Sequence, residues 1–168
     1  TVLCPSEQRP TLLRFPLPGD STQRIWIPSL FRFRRVMTQC RPQTIIVATP
    51  GPYGLVGAWW ARRLGAKLIV GFHTHFSSVT DVYSNRFLRA FSRFYFSIAD
   101  KILFRYGDLV LANSEAMVDL ARSLGARNVG VMGTLLPGDS LRDPDPPVSG
   151  KLERVVFAGR LAPEKRVQ

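Results

Sequence analysis

The sequence predicts an α/β fold, a doubly wound parallel sheet of Rossmann-like type, on three observations. Short continuous apolar runs, Gln43 to Ala48, Lys67 to Phe72 and Asp108 to Ala112, have the composition of buried strands. Longer segments of helical period alternate with them, and consecutive parallel strands need such crossovers. The joints carry helix punctuation, with Gly65 and Gly125 placed as C-terminal caps and Asn113 or Ser114 as an N-terminal cap. Together these call for a parallel sheet covered on both faces.

Taken in order, Val2 to Cys4 reads as a strand remnant and Thr11 to Phe15 as a short strand. Pro16, Pro18 and Gly19 then form a loop, and Ile25 to Ile27 is extended. Pro28-Ser29 opens a helix to about Cys40, with Leu30, Phe33, Met37 and Cys40 on one face and Arg32 and Arg35 on the other. Pro42 to Ala61 is the longest charge-free stretch and reaches the length of a membrane span, about 20 residues. Pro50-Gly51-Pro52-Tyr53-Gly54 at its centre breaks any single helix, so the stretch reads as strand, loop and helix, the helix running from Gly54 to Leu64.

The strand Lys67 to Phe72 leads into a loop, His73 to Ser78, and then into the longest helix, about Val82 to Tyr106. Leu88, Phe91, Tyr95, Ile98, Ile102 and Tyr106 recur every three or four residues and define an apolar face. Arg86, Arg89, Arg93, Ser97 and Asp100 fall opposite it, with Phe87, Phe94, Phe96 and Phe104 on the flanks. A basic amphipathic helix of this kind is either half core and half solvated or lies on an anionic membrane. Asp108 to Ala112, a capped helix to Leu124 and a strand from Asn128 to Met132 follow. Gly133 to Gly150 is rich in Gly, Pro, Asp and Ser, as an interdomain linker would be. The division is therefore a first domain over residues 1–136, a linker over 137–150 and the opening of a second domain over 151–168.

A chain of 168 residues with 45% hydrophobic and 21% charged residues can bury a proper core, which excludes a disordered segment. The formal net charge of +11 favours polyanionic partners: nucleic acid, anionic lipid or phosphate-bearing substrates. Cys4 and Cys40 have no metal-like spacing and read as thiols of a reducing, cytoplasmic compartment. No Gly-x-Gly-x-x-Gly and no triphosphatase phosphate loop is present.

In doubly wound sheets ligands sit beyond the carboxyl ends of the strands, so three loops matter: Thr49–Gly54, His73–Ser78 and Gly159–Lys165. Gly51 lets backbone approach a ligand, and Pro50 and Pro52 stiffen their loop; a rigid strand-to-helix turn explains the same residues. His73 can donate to a sugar hydroxyl or a developing charge, or it can cap backbone groups. His73 and His75 lack a nearby carboxylate or cysteine, so no metal is expected. Val155 to Ala158 reads as a strand feeding Gly159, Arg160 and, five residues on, Lys165 before a helix start. That is either a phosphate site or a strand end with solvated basic residues.

Phe157-Ala158-Gly159-Arg160-Leu161-Ala162-Pro163-Glu164-Lys165-Arg166-Val167 resembles the first strand and loop of the second domain of retaining GT-B glycosyltransferases, family 4. Lys67-Leu68-Ile69-Val70-Gly71-Phe72-His73-Thr74 is similar to the strand and His-Thr motif of that family's first domain, and Val110 to Ala116 to its serine-capped helix. Thr49 to Gly54 looks like a cleft loop of the lipid- and mannose-modifying, mannosyltransferase-like branch. The resemblance implies that Gly159, Arg160 and Lys165 hold the donor's diphosphate and that His73 acts at the transferred sugar. It implies that Gly51, Pro52, Tyr53 and Thr74 line the acceptor side of the cleft. Where relatives show Gly-Val-Asp before the second domain, this chain has Gly133-Thr134-Leu135-Leu136-Pro137-Gly138-Asp139.

The resemblance further implies a GT-B fragment truncated at both ends. The glycine-rich loop of the first strand would lie upstream of residue 1, and the Glu-x7-Glu motif downstream of Gln168. The expected co-substrate is a nucleotide-sugar such as a GDP- or UDP-sugar, without metal or other cofactor. The acceptor would be a sugar or a lipid-linked hydroxyl; the basic helices, rather than the resemblance, suit an anionic membrane surface as a further partner, with the protein peripheral to the cytoplasmic membrane face. Two rivals stand beside this: another GT-B enzyme such as an epimerase or phosphorylase, and a non-catalytic basic module. Against nucleic acid, the arginines are spread over several helices and the aromatics form no stacking platform.

Overall fold

The polypeptide builds a two-stranded antiparallel hairpin and, after one helix, a four-stranded parallel sheet with helical crossovers. The computed structural model describes residues 13–17, 20–75 and 86–133. All belong to Thr1–Gly133, the first of the two units into which the chain divides. The expectations for Val2–Cys4, for residues 76–85, for the linker and for Gly159, Arg160 and Lys165 fall outside the described residues.

Strand β1 (Leu13–Leu17) pairs with β2 (Asp20–Ile27), from Leu13 opposite Ile27 to Pro16 opposite Arg24, and the register shifts between Pro16 and Leu17. Pro16 was expected in a loop; it stands inside β1, where its missing N–H cannot continue the ladder and the register slips. Helix α1 (Leu30–Cys40) starts after Ser29 and ends on Arg41, whose φ of 39° is left-handed. Of its expected apolar face only Phe33 and Met37 are buried, while Leu30 and Cys40 at the two ends are exposed. Phe33 packs against Tyr53, with ring centroids 6.2 Å apart.

β3 (Thr44–Val47), β4 (Lys67–Phe72), β5 (Leu109–Ala112) and β6 (Val129–Val131) are all parallel and neighbour one another in chain order. Between them run α2 (Pro52–Leu64), α3 (Arg86–Tyr106) and α4 (Glu115–Ser123). β4 has the bounds that its apolar run predicts. Helix α2 starts two residues before the predicted Gly54, because Pro52 with its missing N–H is well suited to a first turn. Gly65 closes that helix at φ 66°, its N–H donating to the Ala61 and Arg62 carbonyls.

A right-handed crossover is the rule for parallel neighbours, and an order that advances in one direction puts α2, α3 and α4 on one face. That face is sealed: Ile45, Val47, Leu68, Val70, Phe72, Val110 and Ala112 are buried at alternate positions, and Leu103 and Phe104 of α3 join them in the core. The continuous apolar strands predict cover on both faces. Among the described residues the second face is the more open one, with Ile46 70% exposed and Ile69, Leu109 and Leu111 half-buried. The stretch from Pro42 to Ala61 is strand, loop and helix as predicted, and no helix among the described residues is long and apolar enough to cross a membrane.

Helix α3 corrects the sequence reading. Its sheet side is Ser92, Phe96, Ala99, Asp100, Leu103 and Phe104, all buried. Phe91, Ile98, Ile102 and Tyr106, expected to face the core, are exposed, and Tyr95 is half-buried. The helix is apolar on nearly every side, so period alone could not choose its buried face. The sheet takes the side where small Ser92 and Ala99 allow close approach. Asp100, expected in solvent, is 3% exposed, and burial pushes its carboxyl up to about 6.

Candidate functional site

The carboxyl ends of β3, β4 and β5 bring the expected loops to one edge of the sheet. After β3, Gly51 is the N-terminal cap of α2, extended at φ −71° and ψ 178°, and Pro52 opens the helix. Gly54 is fixed by sterics. A Cβ there would overlap the Thr49 carbonyl oxygen and come within 2.8 Å of Val47 Cγ1, so only glycine lets the helix start this close to the loop. Tyr53 is half-buried, its ring against Phe33.

Tyr95 reaches the same loop from α3, its hydroxyl donating to the Pro50 carbonyl at 3.3 Å. Burial raises the Tyr95 phenol above its ordinary value, which keeps it a donor. The bond ties the loop to the helix that follows the histidines.

After β4, His73 and Thr74 are exposed and His75 is half-buried. The His73 imidazole folds back along its own strand: a Cβ on Gly71 would lie 3.0 Å from His73 Nε2 and 3.6 Å from the Ala48 Cα. Gly71 therefore leaves the space that the imidazole fills, beside the end of β3. The main chain of His73 is held from the next strand, where the Asn113 side-chain amide donates to the His73 carbonyl at 3.3 Å. His75 packs edge-on against Phe72, ring centroids 6.3 Å apart, and burial lowers its pKa, which favours the neutral ring. After β5, the Ser114 hydroxyl caps α4, accepting from the Met117 N–H at 3.4 Å.

Gly51, Pro52, Tyr53, His73 and Thr74 thus stand beyond the carboxyl ends of the adjacent strands β3 and β4. Tyr95, Asn113 and Gly71 were not expected at the site; the sequence placed Tyr95 on an apolar helix face and Asn113 as a candidate cap. A glycine inside an apolar strand is a signal of close approach and made Gly71 findable. Nothing local marks the bonds of Asn113 and Tyr95, whose partners lie 40 and 45 residues away. No group of three or more His, Cys, Asp or Glu side chains is placed to hold a metal among the described residues.

The opposite edge of the sheet is a structural lock. Asp108 Oδ2 accepts from the Leu68 N–H at 2.8 Å, and Lys67 Nζ stands 3.5 Å from Oδ1. The Leu68 N–H first, with the Lys67 charge assisting, holds the Asp108 carboxyl below the usual range. Asn128 donates to the Asp108 carbonyl at 3.0 Å.

The parallel α/β sheet thus carries a histidine and a proline-glycine loop at the carboxyl ends of its strands. The family model for Glycosyltransferase Family 4 matches residues 1–132, and the chain belongs to that family. Searches of the curated proteins and of the solved structures gave no match.

Proposed function

We propose that this glycosyltransferase moves a hexose from a nucleotide-diphospho-sugar to an acceptor hydroxyl with retention of anomeric configuration. The observation that supports it most is the ligand edge just described, in a chain of family 4: His73 folded over Gly71, its backbone held by Asn113, beside the Thr49–Gly54 loop. In this reading the bond from the anomeric carbon to the diphosphate breaks as the acceptor oxygen bonds from the same face, and the hydroxyl proton passes to the departing diphosphate. Arg160 and Lys165, in the segment 151–168 that opens the donor domain, neutralise the charge growing on the leaving group. His73 donates to the sugar or positions it, and Gly51, Pro52, Tyr53 and Thr74 form the acceptor side. The co-substrate is a GDP- or UDP-sugar, and the acceptor a sugar or lipid-linked hydroxyl.

The test is transfer of labelled hexose from a panel of GDP- and UDP-sugars to membrane lipid extract and to sugar acceptors. One donor is expected to serve, with the anomeric configuration kept, and Arg160→Ala should slow transfer about 100- to 1000-fold. Inversion would overturn retention, and no transfer from any donor would overturn the enzyme reading.

A further inference from the structure

Helices α3 and α4 flank neighbouring strands of one sheet, yet their outward faces differ in kind. On α4, Glu115, Asp119 and Arg122 are exposed, Asp119 and Arg122 3.6 Å apart, and no large apolar side chain is exposed. On α3, Phe87, Phe91 and Phe94 are 85%, 68% and 66% exposed, and Ile98 continues the stripe one turn on. At 1.5 Å per residue, Phe87 to Ile98 covers about 16 Å of one outward face. Helix α2 lies alongside and adds Trp59, also exposed. An apolar stripe of this size on the outside of a helix marks a surface that meets something.

The charges say what it meets. Lys101 and Arg105 stand on the same outward side of α3, and Arg62 and Arg63 of α2 border it. Arg62 lies 4.1 Å above the Tyr106 ring and Arg63 5.5 Å from that of Trp59. Stacked guanidinium groups of this kind keep their charge outward at the edge of an apolar patch. Across α1, α2 and α3 every exposed charged side chain is positive, and the one acid, Asp100, is buried. A second copy of the same face would set these cations against each other. An anionic bilayer complements them, while its acyl boundary accepts phenylalanine and its headgroup layer tryptophan and tyrosine.

We infer that the outward face of α3, with Trp59 and the arginines of α2, docks this protein on an anionic membrane, its phenylalanines entering the headgroup boundary. Tyr95, which follows Phe94 midway along α3, bonds the Pro50 carbonyl of the loop after β3, so a bilayer docked on the stripe lies near that loop. The proposal stands apart from the transferase reading, because vesicle binding needs neither donor nor acceptor.

The test is co-sedimentation of the 168-residue chain with vesicles of phosphatidylcholine, with and without phosphatidylglycerol, at physiological ionic strength. Binding to the anionic vesicles is expected to exceed that to the neutral ones by about tenfold or more. Phe91→Ser with Phe94→Ser should weaken it by about tenfold or more, and Lys101→Glu with Arg105→Glu by about twentyfold. All four side chains are exposed, so thermal melting of both variants should match the parent. Equal binding to both vesicles, no binding, or binding that ignores either variant overturns the proposal. So does self-association of the parent, in sedimentation velocity, that the serine variant abolishes; the face would then join two copies.

Discussion

The two edges of the parallel sheet use polar side chains in opposite ways. At the edge where β4 and β5 begin, Asp108 is committed to the Leu68 N–H and Lys67, and Asn128 to the Asp108 carbonyl. These groups are bound to the fold itself. At the edge where the strands end, Asn113 and Tyr95 grip only main-chain carbonyls, those of His73 and Pro50. The side chains of His73 and Thr74 remain at the surface. Parallel sheets place ligands at that second edge, and here its main chain is held from behind while these side chains are left exposed. The first edge should answer to stability, the second to chemistry.

Substitutions at four positions would break or sharpen that contrast. His73→Ala has the largest expected effect, a loss of about 100- to 1000-fold in sugar transfer with the melting temperature nearly unchanged, read by steady-state kinetics beside thermal melting. Gly54→Ala comes next. The methyl collides with the Thr49 carbonyl, and denaturant unfolding should show a loss of about 1–3 kcal/mol. Asn113→Ala should cost about tenfold in transfer by releasing the His73 main chain. Asn113→Asp should cost as much, because an ionised carboxylate cannot donate, and that readout separates donation from mere packing.

Asp108→Asn is expected to be smallest and to spare transfer. Its pKa is depressed in the fold, so the carboxylate contributes stability above its unfolded value of 3.8, and this is lost as pH falls through the lower folded value. Melting curves of parent and variant should therefore converge in acid and separate toward neutral pH. Asp100 has the opposite sign. Protonated in the fold up to about pH 6 and ionised in the unfolded chain above 3.8, it makes stability fall as pH rises through that window.

Much of the fold was legible because local chemistry and tertiary demand agree. The apolar run Lys67 to Phe72, the cap at Gly65 and the Ser114 cap were each predicted and each formed. Helix α3 was legible as a helix and illegible in its orientation. Residues 91, 95, 98 and 102 and residues 92, 96, 99 and 103 are equally good helical stripes. The choice belongs to the sheet, which takes the close approach that Ser92 and Ala99 permit. Of the candidate site, the strand ends were legible and so were the histidine and the proline-glycine loop. The hydrogen bonds that hold them were not, since each joins residues 40 or more apart in the chain.

The most direct test sets the two edges against each other in one assay. Sugar transfer is measured for the parent, His73→Ala and Asp108→Asn at a temperature where all three are folded. Transfer lost with His73→Ala and kept with Asp108→Asn is the predicted result. Equal loss in both, or full activity without the histidine, would contradict the assignment of the strand-end edge as the seat of chemistry.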